Sequence, residues 1–223
     1  MDIWLDDKEA ELHFRQIINL VCQFRNEETA NHQIRNGIRY KMNYGVSLVD
    51  LREIAGKFEP SHILALKLWN RQWRETMILA TLLDEPDKVS EQQMDYWTKS
   101  FENIEIAEQA SANLWYKTPY AYVKALEWCR GKKHWIRYSA VHLVGRLALT
   151  DKKSPDEMFE IFPEEFIPLS RDSALSSVLY RTMIILANRS EYLRELVWKW
   201  TDRIANEQSE NSLKLVEELR NGI

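Results

Sequence analysis

Residues 132–148, KKHWIRYSAVHLVGRLA, decide the fold class of this chain. Apolar side chains recur along the stretch at steps of three and four residues, which is the spacing of one helical face rather than of a strand. We therefore expect a helix from about His134 to Leu149 that lies in the protein core. The same helix carries Arg137 and Arg146, each of which must reach solvent, a carboxylate or a ligand phosphate.

The start of this helix is unusually basic. Lys132, Lys133 and His134 crowd its first turn, where the helix dipole disfavours cations unless an anion lies close by. Over residues 117–153 there are nine lysines and arginines and two acids, a net charge of +7, in a chain whose total is −4. A basic stretch embedded in an otherwise acidic protein indicates an anionic ligand.

The composition favours helices throughout the chain. Its 223 residues include only 6 glycines and 6 prolines, too few for the many tight turns of a β-sandwich or barrel. The 2 cysteines exclude a disulfide framework, and the 5 histidines show no metal-binding spacing. No apolar run is long enough to cross a membrane, and the first residues lack a signal-peptide pattern. We expect a cytoplasmic all-α protein with no metal, no cofactor and no membrane contact.

The periodic segments predict roughly a dozen helices joined by short loops. Besides the basic helix, they are Asp7–Arg25, Thr29–Tyr40, Leu48–Phe58, Ser61–Trp69, Arg74–Leu83, Glu91–Phe101, Ile104–Tyr116, Pro119–Cys129, Asp172–Asn188, Ser190–Ala205 and Ser209–Arg220. Ser154, Pro155 and Pro163 are expected to bracket a short segment without a predicted helix.

Two of the predicted helix pairs resemble each other. Ala65–Trp69 followed by Trp73 and Arg74 is echoed by Ala125–Trp128 followed by Trp135-Ile136-Arg137. Self-similarity at roughly 60 residues is typical of a solenoid of antiparallel helices, which curves and presents a concave face. The basic stretch would then lie inside this concavity or along its rim, where an extended anion can bind.

Three charged residues are candidates for chemistry. Arg137 would contact a phosphate or, as the alternative, form a buried ion pair with Glu105 or Glu108. The two glutamates lie three residues apart near the start of a predicted helix, so both carboxylates project from one side. Acids are common in a first helical turn because they suit the dipole. The functional interpretation is that one of them stabilises a cationic centre such as an oxocarbenium ion.

Two tryptophans differ from the other aromatic residues. Trp73 and Trp135 each open a helix shortly before an arginine, Arg74 or Arg137, whereas most of the 9 tryptophans fall on apolar helical positions and are expected in the core. A ring at the start of a helix can stack on a base or on a cation. We therefore assign both tryptophans, together with Arg74, to a DNA contact.

Four segments resemble the HEAT-like-repeat alkylpurine glycosylases of the DNA alkylation repair family. They are NHQIRNGIRYKMNYGVSLVDLREIA at 31–55, LWNRQWRETMILATLL at 68–83, NIEIAEQAS at 103–111 and KKHWIRYSAVHLV at 132–144, in the family's order and spacing. The resemblance extends over about residues 10–205. It implies one domain over residues 1–223, an all-α right-handed superhelix of antiparallel helix pairs whose concave basic groove binds duplex DNA. Active members excise N3- or N7-alkylated purines without a metal.

The family's functional positions can be carried onto this chain. Its tryptophan falls on Ile104, its first acid on Glu105 and its essential second acid on Glu108, while Arg137 matches the family arginine. A later tryptophan is replaced in the neighbourhood of Tyr180 and Arg181, which we assign to the DNA contact along with Lys132, Lys133, His134 and Ile104. Loss of an aromatic wall removes about 0.5–2 kcal/mol of contact with a cationic base, and Glu for Asp moves the charge by one methylene. We expect DNA binding with little glycosylase activity.

Two other functions are compatible with the sequence. A helical-repeat scaffold for a partner protein would fit the net charge of −4, and a binder of branched or distorted DNA without chemistry would present the same cations as a duplex binder. Salt dependence separates the scaffold from either DNA binder, because phosphate contacts weaken through counterion release. We expect a monomer that binds duplex DNA, alkylated or branched.

Overall fold

The computed structural model describes residues 7–223, and all regular secondary structure in this range is helical. The α-helices are α1 (Lys8–Gln23), α2 (Glu27–Arg35), α3 (Leu48–Ala55), α4 (His62–Arg71), α5 (Arg74–Leu83), α6 (Glu91–Lys99), α7 (Ile104–Asn113), α8 (Ala121–Cys129), α9 (His134–Thr150), α10 (Phe162–Leu169), α11 (Ser176–Ala187), α12 (Glu191–Ala205) and α13 (Glu210–Gly222). Short 3-10 turns cover Pro86–Lys88, Trp115–Lys117, Asp156–Phe159 and Ser173–Leu175. The all-α prediction is confirmed.

Polar caps define most helix starts. The side chains of Ser47, Ser61, Ser90, Ser190 and Ser209 each accept a hydrogen bond from the backbone N–H three residues further on. Each cap satisfies one of the N–H groups that a helix leaves without an internal partner. None of the helices in residues 7–223 has both the length and the hydropathy needed to span a bilayer.

The largest departures from the prediction lie in two segments. The second helix was expected to continue to Tyr40, but α2 ends at Arg35, where Asn36 is followed by Gly37 with φ of +81°. Glycine at that left-handed position is a common helix stop. Conversely, α10 forms where no helix was predicted. Pro163 does not prevent it, because this proline lies in the first turn, where the missing N–H would have no partner within the helix.

The chain forms two compact units, one ending at Pro119 and one from Tyr120 to Ile223, here the N-terminal and C-terminal units. In the N-terminal unit α5 packs against α3, α4 and α7. Its core contains Trp69 stacked on Trp97, with ring centroids 3.9 Å apart, and Trp115 beside them. These tryptophans lie in the core, as expected, and the single domain over residues 1–223 stays a prediction.

The C-terminal unit is built around α9, which packs against α8 and α11. Nine residues of α9 are buried, including Val141, Leu143 and Val144. Gly145 lets α11 approach closely, since a Cβ atom there would lie 2.8 Å from Oγ1 of Thr182. The helix predicted from residues 132–148 is therefore the core element of this unit, as expected.

Candidate nucleic-acid interface

The start of α7 carries the two candidate acids. Asn103 caps the helix by accepting from the N–H of Ile106, at 3.2 Å, and the next residue, Ile104, is 39% exposed. Glu105 and Glu108 follow, one turn apart, and both are half-buried. The predicted helix start and the shared side of the two glutamates are thus present in the structure, with an isoleucine at the exposed position beside them.

Glu105 is held by Arg74 in a bidentate ion pair. Nε of Arg74 donates to Oε2 at 2.8 Å and Nη2 donates to Oε1 at 2.7 Å. The side chain of Arg74 is 1% exposed and that of Glu105 is 11% exposed. Such paired, charge-assisted hydrogen bonds in a buried setting fix the orientation of both groups. Glu105 is therefore an orientated structural carboxylate within the N-terminal unit.

Tyr40 adds a third hydrogen bond to this carboxylate. Its hydroxyl donates to Oε2 of Glu105 at 3.0 Å. Burial, followed by the charge of Glu105 and this hydrogen bond, raises the pKa of the Tyr40 phenol well above its usual value. For Arg74, burial alone would lower the pKa of the guanidinium, but its hydrogen bonds to Glu105 and the adjacent negative charge raise it. The tyrosine stays protonated and the arginine stays charged.

The other side of Arg74 is also occupied. Nη1 donates to the carbonyl of Val46 at 2.7 Å and to Oε1 of Glu75 at 3.1 Å. Glu75 is 0% exposed and accepts from the backbone N–H of Tyr44 at 3.1 Å and of Val46 at 3.3 Å. The guanidinium assigned to DNA from the sequence is thus buried between two carboxylates. Its observed hydrogen bonds all lie within the N-terminal unit, and its side chain is only 1% exposed.

Trp73 lies at the surface end of this network. It is half-buried at the N-cap position of α5, with the guanidinium carbon of Arg71 4.2 Å from its ring centroid and the ring of Tyr44 at 5.2 Å. The cation expected to stack on this ring is therefore present, but it is Arg71 from the end of α4.

The start of α9 presents exposed cations. Lys132 and Lys133 are both exposed, and Lys133 takes the N-cap position without a side-chain capping hydrogen bond. His134 and Trp135 are half-buried, with ring centroids 4.5 Å apart. Burial lowers the pKa of His134, against the charge of nearby Asp172. At neutral pH the two lysines therefore supply the positive charge beside the N–H groups of this helix start.

Arg137 is paired with Asp172. Its Nη2 lies 3.5 Å from Oδ2 of Asp172, while its Nε is buried without a hydrogen-bond partner. Asp172 also caps the 3-10 turn Ser173–Leu175 by accepting from the N–H of Ala174. The ion-pair alternative for Arg137 named Glu105 or Glu108; the acid beside it is Asp172, which comes 35 residues later in the chain.

The side chains of Arg181 and Tyr180 lie in different environments. Arg181 is exposed, and its Nη2 donates to the hydroxyl of the buried Tyr138 at 3.0 Å. Tyr180 is half-buried against the end of α13, since a Cβ atom at Gly222 would lie 2.5 Å from its hydroxyl oxygen. Tyr180 therefore packs within the C-terminal unit, whereas Arg181 remains at the surface close to Tyr138.

Acids within and beyond the basic stretch neutralise part of its charge. Lys124 is buried and pairs with Glu127 at 2.6 Å, and Arg130 pairs with Glu165. With Arg137 paired to Asp172 as well, the cations exposed in this stretch are mainly lysines, namely Lys117, Lys132, Lys133, Lys152 and Lys153. The net charge of the sequence segment therefore overstates the unpaired positive charge at the surface, where four of the five exposed lysines flank the two ends of α9.

A second basic segment was missed in the sequence. The irregular residues between α2 and α3, here loop 36–46, carry Arg39 and Lys41 in exposed positions. The signal was available, because no acid occurs between Glu28 and Asp50. Among residues 7–223 no cluster of histidine, cysteine and carboxylate side chains has the arrangement of a metal site.

Comparisons with known proteins give a family and a fold. The family model described as DNA alkylation repair enzyme matches residues 18–166. No curated protein matches the chain. A solved structure, described as a new family of proteins related to the HEAT-like repeat DNA glycosylases with affinity for branched DNA structures, is similar with a TM-score of 0.73. It shares 16% sequence identity, and the match covers 94% of each chain, so the likeness establishes a common fold.

Proposed function

This chain belongs to the DNA alkylation repair enzyme family, and from that membership we propose that it binds DNA through its basic surfaces without efficient excision of alkylated purines. The single observation that carries the proposal is the pairing of Glu105 with Arg74 beside an exposed Ile104. The fold of the family is retained. If the family positions fall as the resemblance implies, Ile104 replaces the aromatic wall and Glu105, one of the two acids, is engaged in a structural ion pair.

Binding is supported by the start of α9. Lys132 and Lys133 are exposed beside N–H groups that have no partner within the helix, so charge and dipole favour a phosphate at the same place. Contacts of this kind position DNA without reading its sequence. Branched DNA is included in the proposal because the structurally similar family described above has affinity for it.

Weak excision follows from the surroundings of α7. An isoleucine at position 104 offers no π-face to a cationic purine, which removes a contact of roughly 0.5–2 kcal/mol. Glu105 is oriented by Arg74 and Tyr40, so it cannot turn toward a sugar without breaking three hydrogen bonds. Any remaining oxocarbenium stabilisation would come from Glu108. Arg137, in the C-terminal unit, is proposed separately as a contact to a DNA phosphate.

Binding is tested by salt dependence. Each phosphate contact contributes a slope of about 0.9 to the fall of log K with log salt on duplex DNA. Replacing Lys132 and Lys133 by glutamine should therefore reduce the slope by about 1.8, and the affinity ratio of wild type to variant should shrink roughly twelvefold between about 50 and 200 mM salt. The matched control is Lys8→Gln/Lys199→Gln, which removes two exposed lysines from α1 and α12.

The control should bind like wild type. Equal slopes for the Lys132/Lys133 variant and wild type would remove α9 from the interface. Absence of DNA binding at about 50 mM salt by wild type would reject the proposed function and favour a protein scaffold, whose apolar contacts respond little to salt.

Excision is tested with a duplex that contains 7-methylguanine. We expect base release by wild type to stay near the spontaneous rate while the same duplex is bound. Release well above that rate, and its loss in Glu108→Gln with binding intact, would contradict the proposal and assign catalysis to Glu108.

A further inference from the structure

A cavity of about 310 Å³ lies beside loop 36–46 in the N-terminal unit. Its lining includes the exposed cations Arg39 and Lys41, the ring of Tyr40, and the buried apolar side chains of Met77 and Ile106. An inorganic anion alone would leave most of a space of this size unfilled. The combination of cations with mixed polar and apolar side chains and one tyrosine suits a ligand that has a charged end and a flat body with polar edges.

The side chains of Arg39 and Lys41 are available to a ligand. Within residues 7–223 neither Arg39 nor Lys41 has a carboxylate within ion-pair distance. Glu102, which is exposed, is the acid in the lining. The segment that carries the two cations also borders a second depression of about 400 Å³ that includes Ile34 and Met42. Both cations line both depressions and are exposed, so a phosphate can reach them.

Loop 36–46 is anchored despite its irregular backbone. Asn103 donates to the carbonyl of Arg39 at 2.9 Å, Tyr40 donates to Glu105, and the N–H of Arg74 donates to the carbonyl of Met42 at 2.9 Å. Anchors at three nearby positions hold the backbone that presents the cations. A site with a pre-ordered backbone loses less conformational entropy when its ligand binds.

Hydrogen-bonding groups in the lining suit the edge of a nucleobase. Gln72 uses its amide N–H to donate to the carbonyl of Trp69, at 2.8 Å, which leaves its Oε1 to accept. Ser100 donates to the carbonyl of Trp97 at 2.7 Å, so its hydroxyl oxygen can accept a hydrogen bond from a ligand. The exocyclic N–H groups of a base can donate to the side-chain oxygens of Gln72 and Ser100, and its ring can contact Tyr40.

We propose that this cavity binds one unpaired nucleotide of a DNA strand, with its base in the cavity and its phosphate on Arg39 and Lys41. The inference rests on the DNA binding proposed above and names the structural feature that the N-terminal unit recognises. A paired base is stacked inside the duplex and does not enter, whereas a nucleotide at a branch point or in a flap is already unstacked. The site thereby favours branched DNA over duplex.

The test compares two DNA probes that share one duplex. One is blunt and the other carries a single-stranded flap with 2-aminopurine as its first unpaired base. Stacking and base contacts of one nucleotide change affinity by roughly 5- to 150-fold, and we expect wild type to bind the flap probe about tenfold more tightly than the blunt probe. The fluorescence of 2-aminopurine should change as the base enters the cavity.

Two variants test the site, and one serves as a control. Arg39→Gln/Lys41→Gln removes both cations from exposed positions, and Ser100→Leu places an apolar side chain in the cavity. Lys8→Gln/Arg52→Gln removes two exposed cations of the same unit that do not line the cavity. Thermal unfolding confirms that each variant is folded before its binding is compared.

Both site variants should bind the blunt probe and lose the preference for the flap, and the control should keep it. Equal affinity of wild type for the two probes, or a preference that survives in both site variants, would overturn the inference while leaving DNA binding intact. If Arg39→Gln/Lys41→Gln lost the same factor of affinity for both probes, the two cations would be ordinary phosphate contacts and the inference would be wrong.

Failure of wild type to bind either probe would instead reject the proposed function. A free deoxynucleoside monophosphate that displaces the flap but not the blunt duplex would support the cavity as the site.

Discussion

Replacing Arg74 by methionine tests whether the acid of α7 serves the fold. The side chain of methionine fills much of the space of the arginine stem but donates no hydrogen bond. The change removes two hydrogen bonds to Glu105, one to the carbonyl of Val46 and one to Glu75. Glu75 at 0% exposure and Glu105 at 11% would then be left without their cation.

The expected loss is large because the remaining charges are buried. Removing one partner of a buried ion pair costs about 3–5 kcal/mol, most of it from the uncompensated charge that stays behind. The free energy of unfolding is measured by urea denaturation at pH 7, followed by circular dichroism and tryptophan fluorescence. Adding Glu105→Gln to Arg74→Met should recover part of the loss, since one stranded carboxylate becomes neutral.

Two results would refute this reasoning. Stability of Arg74→Met within about 1 kcal/mol of wild type would mean that the network contributes no more than an exposed ion pair. A double variant less stable than Arg74→Met would show that the glutamate is stabilised by something other than the arginine. As a control, Lys57→Met removes the exposed cation paired with Glu53 and should change stability by less than about 1 kcal/mol.

Three further results are expected. Hydrogen bonds, led by those from Ser154, lower the pKa of Asp151 to about 2, so the stabilisation is present above the unfolded pKa of about 4 and is lost as pH falls through 2. In urea denaturation Asp151→Asn should therefore lower the free energy of unfolding by roughly 1–2 kcal/mol at pH 6 and by little at pH 2. An equal cost at both pH values would contradict this. Gly145→Ala should lower the free energy of unfolding by about 1–3 kcal/mol, because its Cβ would lie 2.8 Å from Thr182, and an unchanged urea midpoint would refute the close contact. Ile104→Trp should raise affinity for a 7-methylguanine duplex over the unmodified one by about 2- to 30-fold in a binding titration, and no gain would mean that the ring does not reach the base.

Helix positions were largely predictable because their causes are local. The bounds of α5 match the predicted Arg74–Leu83, and α9 extends one residue beyond the predicted Leu149. Serine caps and apolar spacing suffice for such elements. The end of α2 was not predicted, since its apolar spacing continues to Ile38 while the backbone stops at Asn36-Gly37 and is then held by distant groups.

Charge partners were less predictable because they depend on distant parts of the chain. Arg74 pairs with an acid 31 residues later, and Arg137 and Arg130 pair with acids 35 residues later. Composition gives the net charge of a segment but not which cations the fold neutralises. That distinction is decisive here, since it moves Arg74 from the DNA contacts to the interior and leaves lysines at the surface.

The buried network also explains why an acid occupies position 105 although the neighbouring residue, Ile104, is not the aromatic residue that the family resemblance implies. Glu105 accepts from Arg74 and from Tyr40, and Tyr40 lies within loop 36–46 between the two exposed cations. The carboxylate thus holds the backbone that presents Arg39 and Lys41. Its structural contacts account for this acid, because loss of its charge would leave Arg74 facing Glu75 alone and would remove one of the three anchors of the loop. The acid at position 105 is therefore explained by the packing of the N-terminal unit, whether or not the protein excises bases.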